Sequence, residues 1–428
     1  MSTAAFLILA VIMLAIGIPV GFTMASSSLL YLIMNGLNPA IVLQRLLSMV
    51  DSTPLLCVPF FLLAGELMNK GGIGKRLIHL ARMAVGRFPG GLCYVTIVAC
   101  TFMSAVTGAA IAVCAALGAI LIPEMVKAGY KRDFSTAIVC AGATLGPIIP
   151  PSISLVVFGS RTGTSVASLY KCGFPQGVII AIVFAVYTYI IAKKRGYTTA
   201  PITKYKDLTI EEKTERRKLL RSSIWSIGTP VIILGGIFAG ICTPTEASVV
   251  ASLYSLIVAV FIYKEVKIKE IPKMMFDATS ATARILFIIS AAGLFSWVIS
   301  VTKLPSTILT QLAALTTSPA LVIALTVVTA TVLGMFIDAG SISLITLPIF
   351  IPLWQHFQLD FVWVGTWLTS LYCLGTITPP FGTVLFTGVH VGKVSFQKLA
   401  PQLIPFSVVM FLAIMLTVFF PGLVMWAK

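Results

Sequence analysis

Apolar runs long enough to cross a lipid bilayer recur from one end of this 428-residue chain to the other. AAFLILAVIMLAIGIPVGFTM near the N-terminus and LIPFSVVMFLAIMLTVFFPGLV near the C-terminus each approach the roughly 20 residues a spanning helix needs. With 58% hydrophobic and 10% charged residues, and a mean hydropathy of +1.02, no water-soluble core could enclose so much apolar surface. The runs are continuous rather than alternating, which excludes a transmembrane barrel. The fold class is an all-α polytopic membrane protein with no soluble domain of any size. The first run has neither a charged leader nor a small-residue cleavage site, so it reads as a retained membrane segment, one span or two across residues 4–34.

The net charge of +16 does not point to nucleic acid, because of where it sits. Basic residues gather in NKGGIGKRLIHLARMAVGR, KAGYKRD, KKRGYTTAPITKYKDLTIEEKTERRKLLR and YKEVKIKEIPK, the stretches between apolar runs. By the positive-inside rule these are cytoplasmic. The eight cysteines stand singly, mostly within apolar segments and with no CxxC pair, and read as small hydrophobes.

An internal repeat organises the chain. Pro39 finds a partner in Pro272, Gly65 in Gly293, Pro89 in Pro319, Pro123 in Pro352, and the doublet Pro150–Pro151 in Pro379–Pro380. These separations run from 228 to 233 residues. The first half is residues 1–195, a charged cytoplasmic linker covers 196–221, and 222–428 holds one extra helix, about 222–241, plus the second half. Each half reads in the same order: a span, a short amphipathic stretch and a second span. A surface-lying helix follows, with Ile73, Leu77, Leu80, Ala84 and Phe88 on one face and Lys75, Arg76, His79 and Arg82 largely on the other. Next comes an apolar segment interrupted by small residues, at MSAVTGAA (about 90–126) and MFIDAGSIS (about 319–355). A proline-broken span (about 134–160 and 362–389) and a last helix complete each half.

The interrupted segments give arms of only about 15 residues, short of the ~17 that a crossing requires, so each is expected to be a re-entrant hairpin with its tip in a buried or aqueous place. In GATLGPIIPPSISLV and GTITPPFGTVLF, proline removes a backbone donor and clashes with the preceding turn, so each span should unwind near mid-membrane. Freed carbonyl oxygens suit a hard cation such as Na⁺, and the N-terminus of the resuming half-helix suits an anion. With the basic loops inside, TKLPSTILTQLAALTTS and QHFQLD fall outside. The first hairpin then enters from the cytoplasm and the second from the opposite face, with the C-terminus periplasmic. The halves are thus inverted repeats, an arrangement of secondary transporters.

CTPTEASVVASLYSL, GPIIPPSI, RTGTSVASLY and GTITPPFGTVLF resemble the large membrane subunit of tripartite ATP-independent periplasmic (TRAP) transporters, its sialic-acid branch in particular. The resemblance extends over essentially the whole chain. It implies an elevator-type, Na⁺-driven importer of an organic acid in the bacterial inner membrane. It further implies a separate small four-helix membrane subunit and a periplasmic substrate-binding protein as partners, and at least two coupling Na⁺ ions. Carried over by position, one Na⁺ lies between Ser104, Val106, Thr107 and Gly108 of the first tip and Gly142, Gly146, Ile149 and Pro150 of the first break. The other lies between Asp338, Gly340 and Ser341 of the second tip and Gly375, Thr376, Thr378 and Pro379 of the second break. Ser104, Ser341 and Asp338 are also expected to meet the substrate.

Asp338 is the most informative side chain, since an intramembrane carboxylate costs at least ~2.5 kcal/mol. It serves Na⁺ or substrate, or else caps the helix after the tip. Arg161 is a second candidate for a substrate carboxylate, against an interfacial or salt-bridging role. Glu246 reads as structural: Thr243-Pro-Thr-Glu is a capping box with proline at the first helical position. Three scattered histidines and the absence of HExxH and GxSxG settings speak against an enzyme. A channel fits paired inverted hairpins less well than alternating access does. The nearest competitor is a stand-alone Na⁺- or H⁺-coupled anion carrier needing no binding protein.

Overall fold

A two-helix hairpin opens each half of the chain. The computed structural model describes residues 1–38, 40–86, 90–197, 210–315, 318–337 and 339–428, with the side chains of 75, 104–106, 210–222 and 312–315 outside the description. Helices α1 (Thr3–Ala15) and α2 (Val20–Met34) fold back on each other, so the first apolar run is two helices and not one span. The break is local: Gly17 takes φ +88°, which favours glycine, and Pro19 precedes α2. The Met1 ammonium donates to Asn35 Oδ1 at 3.3 Å, which sets the start of α1 beside the end of α2. Helices α11 (Ile210–Phe238) and α12 (Pro244–Ile257) form the corresponding pair in the second half, joined side by side through Thr229 and Ser255, whose hydroxyls lie 3.2 Å apart. Because α11 begins at Ile210, it starts inside the stretch read as linker.

The rest of the element order recurs. In the first half α3 (Ala40–Ser48), a 3₁₀ turn (Thr53–Leu56) and α4 (Cys57–Lys70) lead to α5 (Ile73–Val85), then α6 (Gly91–Thr107) and α7 (Ala110–Lys127). Next come α8 (Arg132–Ala143), α9 (Ile153–Thr162) and α10 (Val166–Lys194). In the second half α13 (Ile271–Val301) takes the place of α3 and α4. It is followed by α14 (Leu304–Leu315), α15 (Pro319–Gly334), α16 (Ala339–His356), α17 (Phe361–Gly375), α18 (Thr383–Gly392), α19 (Phe396–Phe419) and a terminal turn, α20 (Gly422–Met425).

Five helical stretches among the described residues are long and apolar enough to cross a bilayer: Ala110–Lys127, Val166–Lys194, Pro244–Ile262, Ile268–Val301 and Phe396–Phe419. The hairpin arms are longer than the sequence indicates, at 17 and 18 residues in the first half and 16 and 18 in the second. The reason is that the helices extend into the small-residue stretches, α6 to Thr107, α7 from Ala110 and α16 from Ala339, and that Pro123, Pro348 and Pro352 sit inside α7 and α16 without ending them. Neighbouring helices can satisfy the groups a proline frees.

The broken helices α8 and α17 occupy the centre. Phe134 through Ala143 of α8 are all buried, as are nearly all residues of α17. A helix apolar on every face belongs in the interior. Several of the hydroxyls this buries are satisfied locally, Thr136, Thr366 and Ser370 each donating to the carbonyl four residues back, while that of Thr369 has no partner among the described residues. Phe406 of α19 packs against Phe184 and Tyr187 of α10 at ring separations of 5.7 and 4.8 Å, locking together the last helix of each half.

Helix α5 packs its apolar face on protein: Ile73 and Leu77 are fully buried with Met68 and Val258. Its polar face is anchored at two points. Arg76 pairs with Glu265 at 2.7 Å and stacks over Tyr263, while Arg82 pairs with Glu124 at the end of α7 at 2.6 Å. Phe88 lies outside the described residues. The capping box at the start of α12 is present, with Thr243 N–H donating to Glu246 Oε2 at 2.8 Å and Glu246 N–H to Thr243 Oγ1 at 3.3 Å. All eight cysteines are free, and Cys242 is the one that is not fully buried.

Candidate substrate and ion site

Each hairpin tip meets the proline break of its own half, and glycine makes both meetings possible. Between α6 and α7 the chain turns through Gly108, at φ +60°, and Ala109. A Cβ on Gly108 would lie 2.8 Å from the Pro151 carbonyl oxygen, so tip and break touch with no side chain between them. From the other side, a Cβ on Gly146 would lie 3.2 Å from the Ala109 carbonyl carbon and from the Ala110 nitrogen. Gly142 packs on Cys100 of α6, and Ile149 fills the space over Gly177 of α10. The Thr107 hydroxyl donates to the Met103 carbonyl at 3.1 Å. Ser104 and Val106 lie on α6, their side chains outside the description.

The break itself runs from Thr144 to Ser152. Ser152 caps α9 by accepting from Leu155 N–H at 3.1 Å, and its own hydroxyl donates to the Pro147 carbonyl. The Tyr170 hydroxyl accepts from Ser152 N–H and donates to the Ser152 carbonyl, both at 3.3 Å. Among the described residues no hydrogen bond is directed at the carbonyls of Gly146, Ile149, Pro150 or Pro151. Backbone oxygens of this kind, of which that of Pro151 lies against the Gly108 tip, have the donor chemistry of a hard-cation site.

The second meeting is tighter and its carbonyls are more engaged. Gly334, the last residue of α15, abuts Gly375, the last of α17: a Cβ on Gly375 would fall 2.2 Å from the Gly334 carbonyl carbon. The Thr376 carbonyl accepts from Val384 and Leu385 N–H at 3.0 and 3.2 Å, closing the break onto the first turn of α18. The Thr376 hydroxyl donates to the Cys373 carbonyl, and that of Thr378 to Leu374, at 2.6 and 2.8 Å. Asp338 lies outside the described residues. Both proline doublets carry a cis bond, at Pro150–Pro151 and Pro379–Pro380.

Between the two tip–break pairs lies a cavity of about 270 Å³. Four helices begin on its wall: α7 at Ala110, α9 at Ile153, α16 at Ala339 and α18 at Thr383. Helix α7 starts without a side-chain cap, which leaves its first-turn N–H groups unsatisfied by side chains, and α18 has none either, its Val384 and Leu385 N–H groups donating to the Thr376 carbonyl. Partial positive charge from four helix ends therefore converges on one space, and among the described residues no charged side chain lines it. Thr383 contributes a buried hydroxyl with no hydrogen-bond partner among the described residues. Opposite the helix ends, Ile285, Ile288 and Ile289 of α13 form an apolar wall.

Of the residues singled out in the sequence, Gly108, Gly340, Ser341 and Thr376 line this cavity. Gly146 and Gly375 stand in the tip–break contacts, whereas Gly142 packs on Cys100 of α6, Ile149 packs on Gly177 of α10, and Pro150 is not among the cavity's lining residues. Thr378 and Pro379 face a separate groove beside α19, together with Ser407. Arg161 lies beyond the cavity, with Nη1 against the Met49 sulfur. Sequence reasoning missed Ser154, Thr383 and the isoleucine wall. The first two fall inside the proline motifs and had a signal, as the polar residues immediately after each break. The wall had none, because its contact is made across the fold. No group of three or more His, Cys, Asp or Glu side chains that could hold a metal occurs among the described residues.

Residues 7–423 match the model of the tripartite ATP-independent periplasmic transporter family, DctM component. The chain is 34% identical over 419 residues to the sialic acid TRAP transporter permease protein SiaT of Haemophilus influenzae, covering 96% of this chain and 66% of that protein. It is 32% identical to the sialic acid TRAP transporter large permease protein SiaM of Vibrio cholerae, covering 95% and 93%. Similarity to the ectoine TRAP transporter large permease protein TeaC of Halomonas elongata is 31%, covering 97% and 96%. In fold it resembles the YdaH transporter of Alcanivorax borkumensis, with a TM-score of 0.63 at 15% identity over 90% of this chain and 88% of that one.

Proposed function

This chain belongs to the DctM component family of tripartite ATP-independent periplasmic transporters, a family of multi-pass membrane permeases, and on that premise we propose that it imports an organic acid across the bacterial inner membrane. Import is driven by Na⁺, and the acid is received from a periplasmic binding protein with a separate small membrane subunit in attendance. The observation that carries this reading is the cavity where four helix N-termini meet between two glycine-tight tip–break contacts. An acid group is held there by backbone dipoles, and the unengaged carbonyls behind Gly108 offer Na⁺ a site directly beside it. Binding of each then stabilises the other through opposite charges at short range. The two halves are inverted repeats, with the linker cytoplasmic and the C-terminus periplasmic. The hairpins and broken helices move as an elevator against a frame formed by the remaining helices. Sialic acid, the substrate named for two of the relatives, is the first to test.

The test is uptake of sialic acid into proteoliposomes under an inward Na⁺ gradient, with and without the small subunit and the binding protein. Uptake that needs all three components and collapses when K⁺ replaces Na⁺ supports the reading. Uptake by this chain alone would overturn the tripartite mode in favour of a stand-alone carrier. Uptake indifferent to Na⁺ would remove the coupling.

A further inference from the structure

Arg161 of α9 is half-buried and takes part in no ion pair among the described residues. Its Nε is buried and has no hydrogen-bond partner among the described residues, and its Nη1 rests against the thioether of Met49. Arg45, one turn before Met49 on α3, also has a buried Nε without a partner among the described residues. The ion pairs among the described residues join Lys70, Arg76, Arg82 and Lys428 to carboxylates, and neither of these arginines takes part. A thioether is a weak acceptor and a cation without a counter-charge is costly to bury, so Arg161, with the half-exposed Arg45 beside it, is poised for an anion that this conformation does not supply.

Their placement says which anion. Ser154 and Val157 line the cavity, and Arg161 follows at the i, i+3, i+7 spacing that keeps all three on one face of α9. On the opposite wall Ile285, Ile288 and Ile289 line the cavity, and one turn further along α13 Gly293 receives the end of α3. A Cβ on Gly293 would lie 2.0 Å from Met49 Cγ and 3.1 Å from the Arg45 carbonyl oxygen. The Ser290 hydroxyl donates to the Leu46 carbonyl, and the hydroxyls of Ser52 and Ser160 lie 2.9 Å apart. The last turn of α3 therefore bridges α9 and α13 just beyond the cavity, and Met49 touches both.

We propose that Arg45 and Arg161 form an anion-selecting mouth to the cavity, closed in this conformation by Met49, and that the carboxylate of an entering organic acid replaces the Met49 sulfur on Arg161. This rests on the organic-acid reading of the cavity. The exchange is an ion-pair replacement: a charge-assisted bidentate contact takes the place of a weak one, and the acid is handed along the Arg161–Val157–Ser154 face to the helix ends. Met49, unbranched and flexible, can swing aside without disturbing its helix.

The mouth is tested without knowing the substrate. On a Cys242→Ser background, Ser160→Cys is labelled in membrane vesicles with an anionic (sulfonatoethyl) and a cationic (trimethylammonioethyl) methanethiosulfonate, and the ratio of the two rates is measured. Replacing both arginines by glutamine is expected to lower the anionic-to-cationic ratio about tenfold, the scale on which a charged cleft concentrates its counter-ion. Arg161→Lys, which keeps the charge, is expected to retain most of the ratio and guards against misfolding as the cause. Met49→Ala is expected to speed both reagents. A ratio unchanged on losing both arginines overturns the proposal. Uptake of sialic acid measured on the same variants separates the two readings. A ratio that falls while the parent chain moves no acid leaves the mouth standing and removes the carrier assignment. Acid uptake whose KM and labelling ratio both ignore the arginines does the reverse.

Discussion

Gly334 and Gly375 meet backbone to backbone, so closely that a Cβ on Gly375 would sit 2.2 Å from the Gly334 carbonyl carbon. The obstacle is main chain and cannot rotate away. Gly375→Ala should therefore push α15 from α17 and destabilise the protein by about 1–3 kcal/mol, the usual cost of overpacking. Gly146 occupies the matching position of the first half, where its nearest neighbours would be 3.2 Å away. Gly146→Ala should cost clearly less. Thermal melts of the two variants in detergent decide this, and an equal or larger loss for Gly146→Ala would contradict the packing described.

The Thr243–Glu246 box predicts a specific pattern of non-additivity. The two residues satisfy each other's backbone N–H groups, so losing either removes most of the arrangement. Thr243→Ala and Glu246→Ala should each lower the melting temperature, and the double variant should fall by clearly less than their sum. Strict additivity would show that the two side chains act independently.

His79, on α5, gives a pH dependence. Burial holds its pKa below the ordinary histidine value, the cationic Arg82 and Arg76 push the same way, and Glu124 opposes them. The folded protein thus favours neutral imidazole. That contribution to stability is present above the unfolded value of about 6.5 and is lost as pH falls from there through the folded value. Stability should decline as the medium is acidified below pH ~6.5, and His79→Gln should flatten that decline. Glu124→Gln, by removing the one opposing charge, should extend it to lower pH. Melting curves across this range that do not respond to His79→Gln would assign the decline elsewhere.

Asp338 separates a working carboxylate from a helix cap. If it serves Na⁺ or substrate, Asp338→Asn should reduce uptake at least about tenfold while leaving the melting temperature unchanged or raised, because an intramembrane charge of ~2.5 kcal/mol or more is relieved. A cap would behave oppositely: stability would fall by ~1 kcal/mol and uptake would follow only as far as folded protein is lost. Uptake and melting measured on one preparation distinguish the two.

Much of this architecture was legible because proline and glycine act locally. The doublets at Pro150 and Pro379 located both broken helices, since two adjacent prolines close behind a glycine disrupt a helix where the single prolines inside α7 and α16 do not. The capping box at Thr243 was readable for the same reason. The turn between α1 and α2 was not, because Gly17 and Pro19 sit in an uninterrupted apolar run with no polar loop to mark a reversal. The hairpin arms were read short, since MSAVTGAA looks like a loop, whereas α6 continues through it to Thr107 and α7 begins at Ala110. Met49, Arg161 and Gly293 converge from three parts of the chain, and no local rule brings them together. The isoleucines of α13 are in the same position: as sequence they are an ordinary membrane helix, and only the fold turns them toward the cavity.

Because the cavity presents helix ends on one side and Ile285, Ile288 and Ile289 on the other, two recognition tasks fall to different kinds of atom. On the organic-acid reading proposed above, the acid group is met by main chain, which no point substitution removes and no proton neutralises. On the same reading the remainder of the molecule is met by replaceable apolar side chains, three of them on a single helix. Substrate preference can then drift by exchanging those isoleucines for larger, smaller or polar residues, while the demand for an anion is inherited unchanged with the fold.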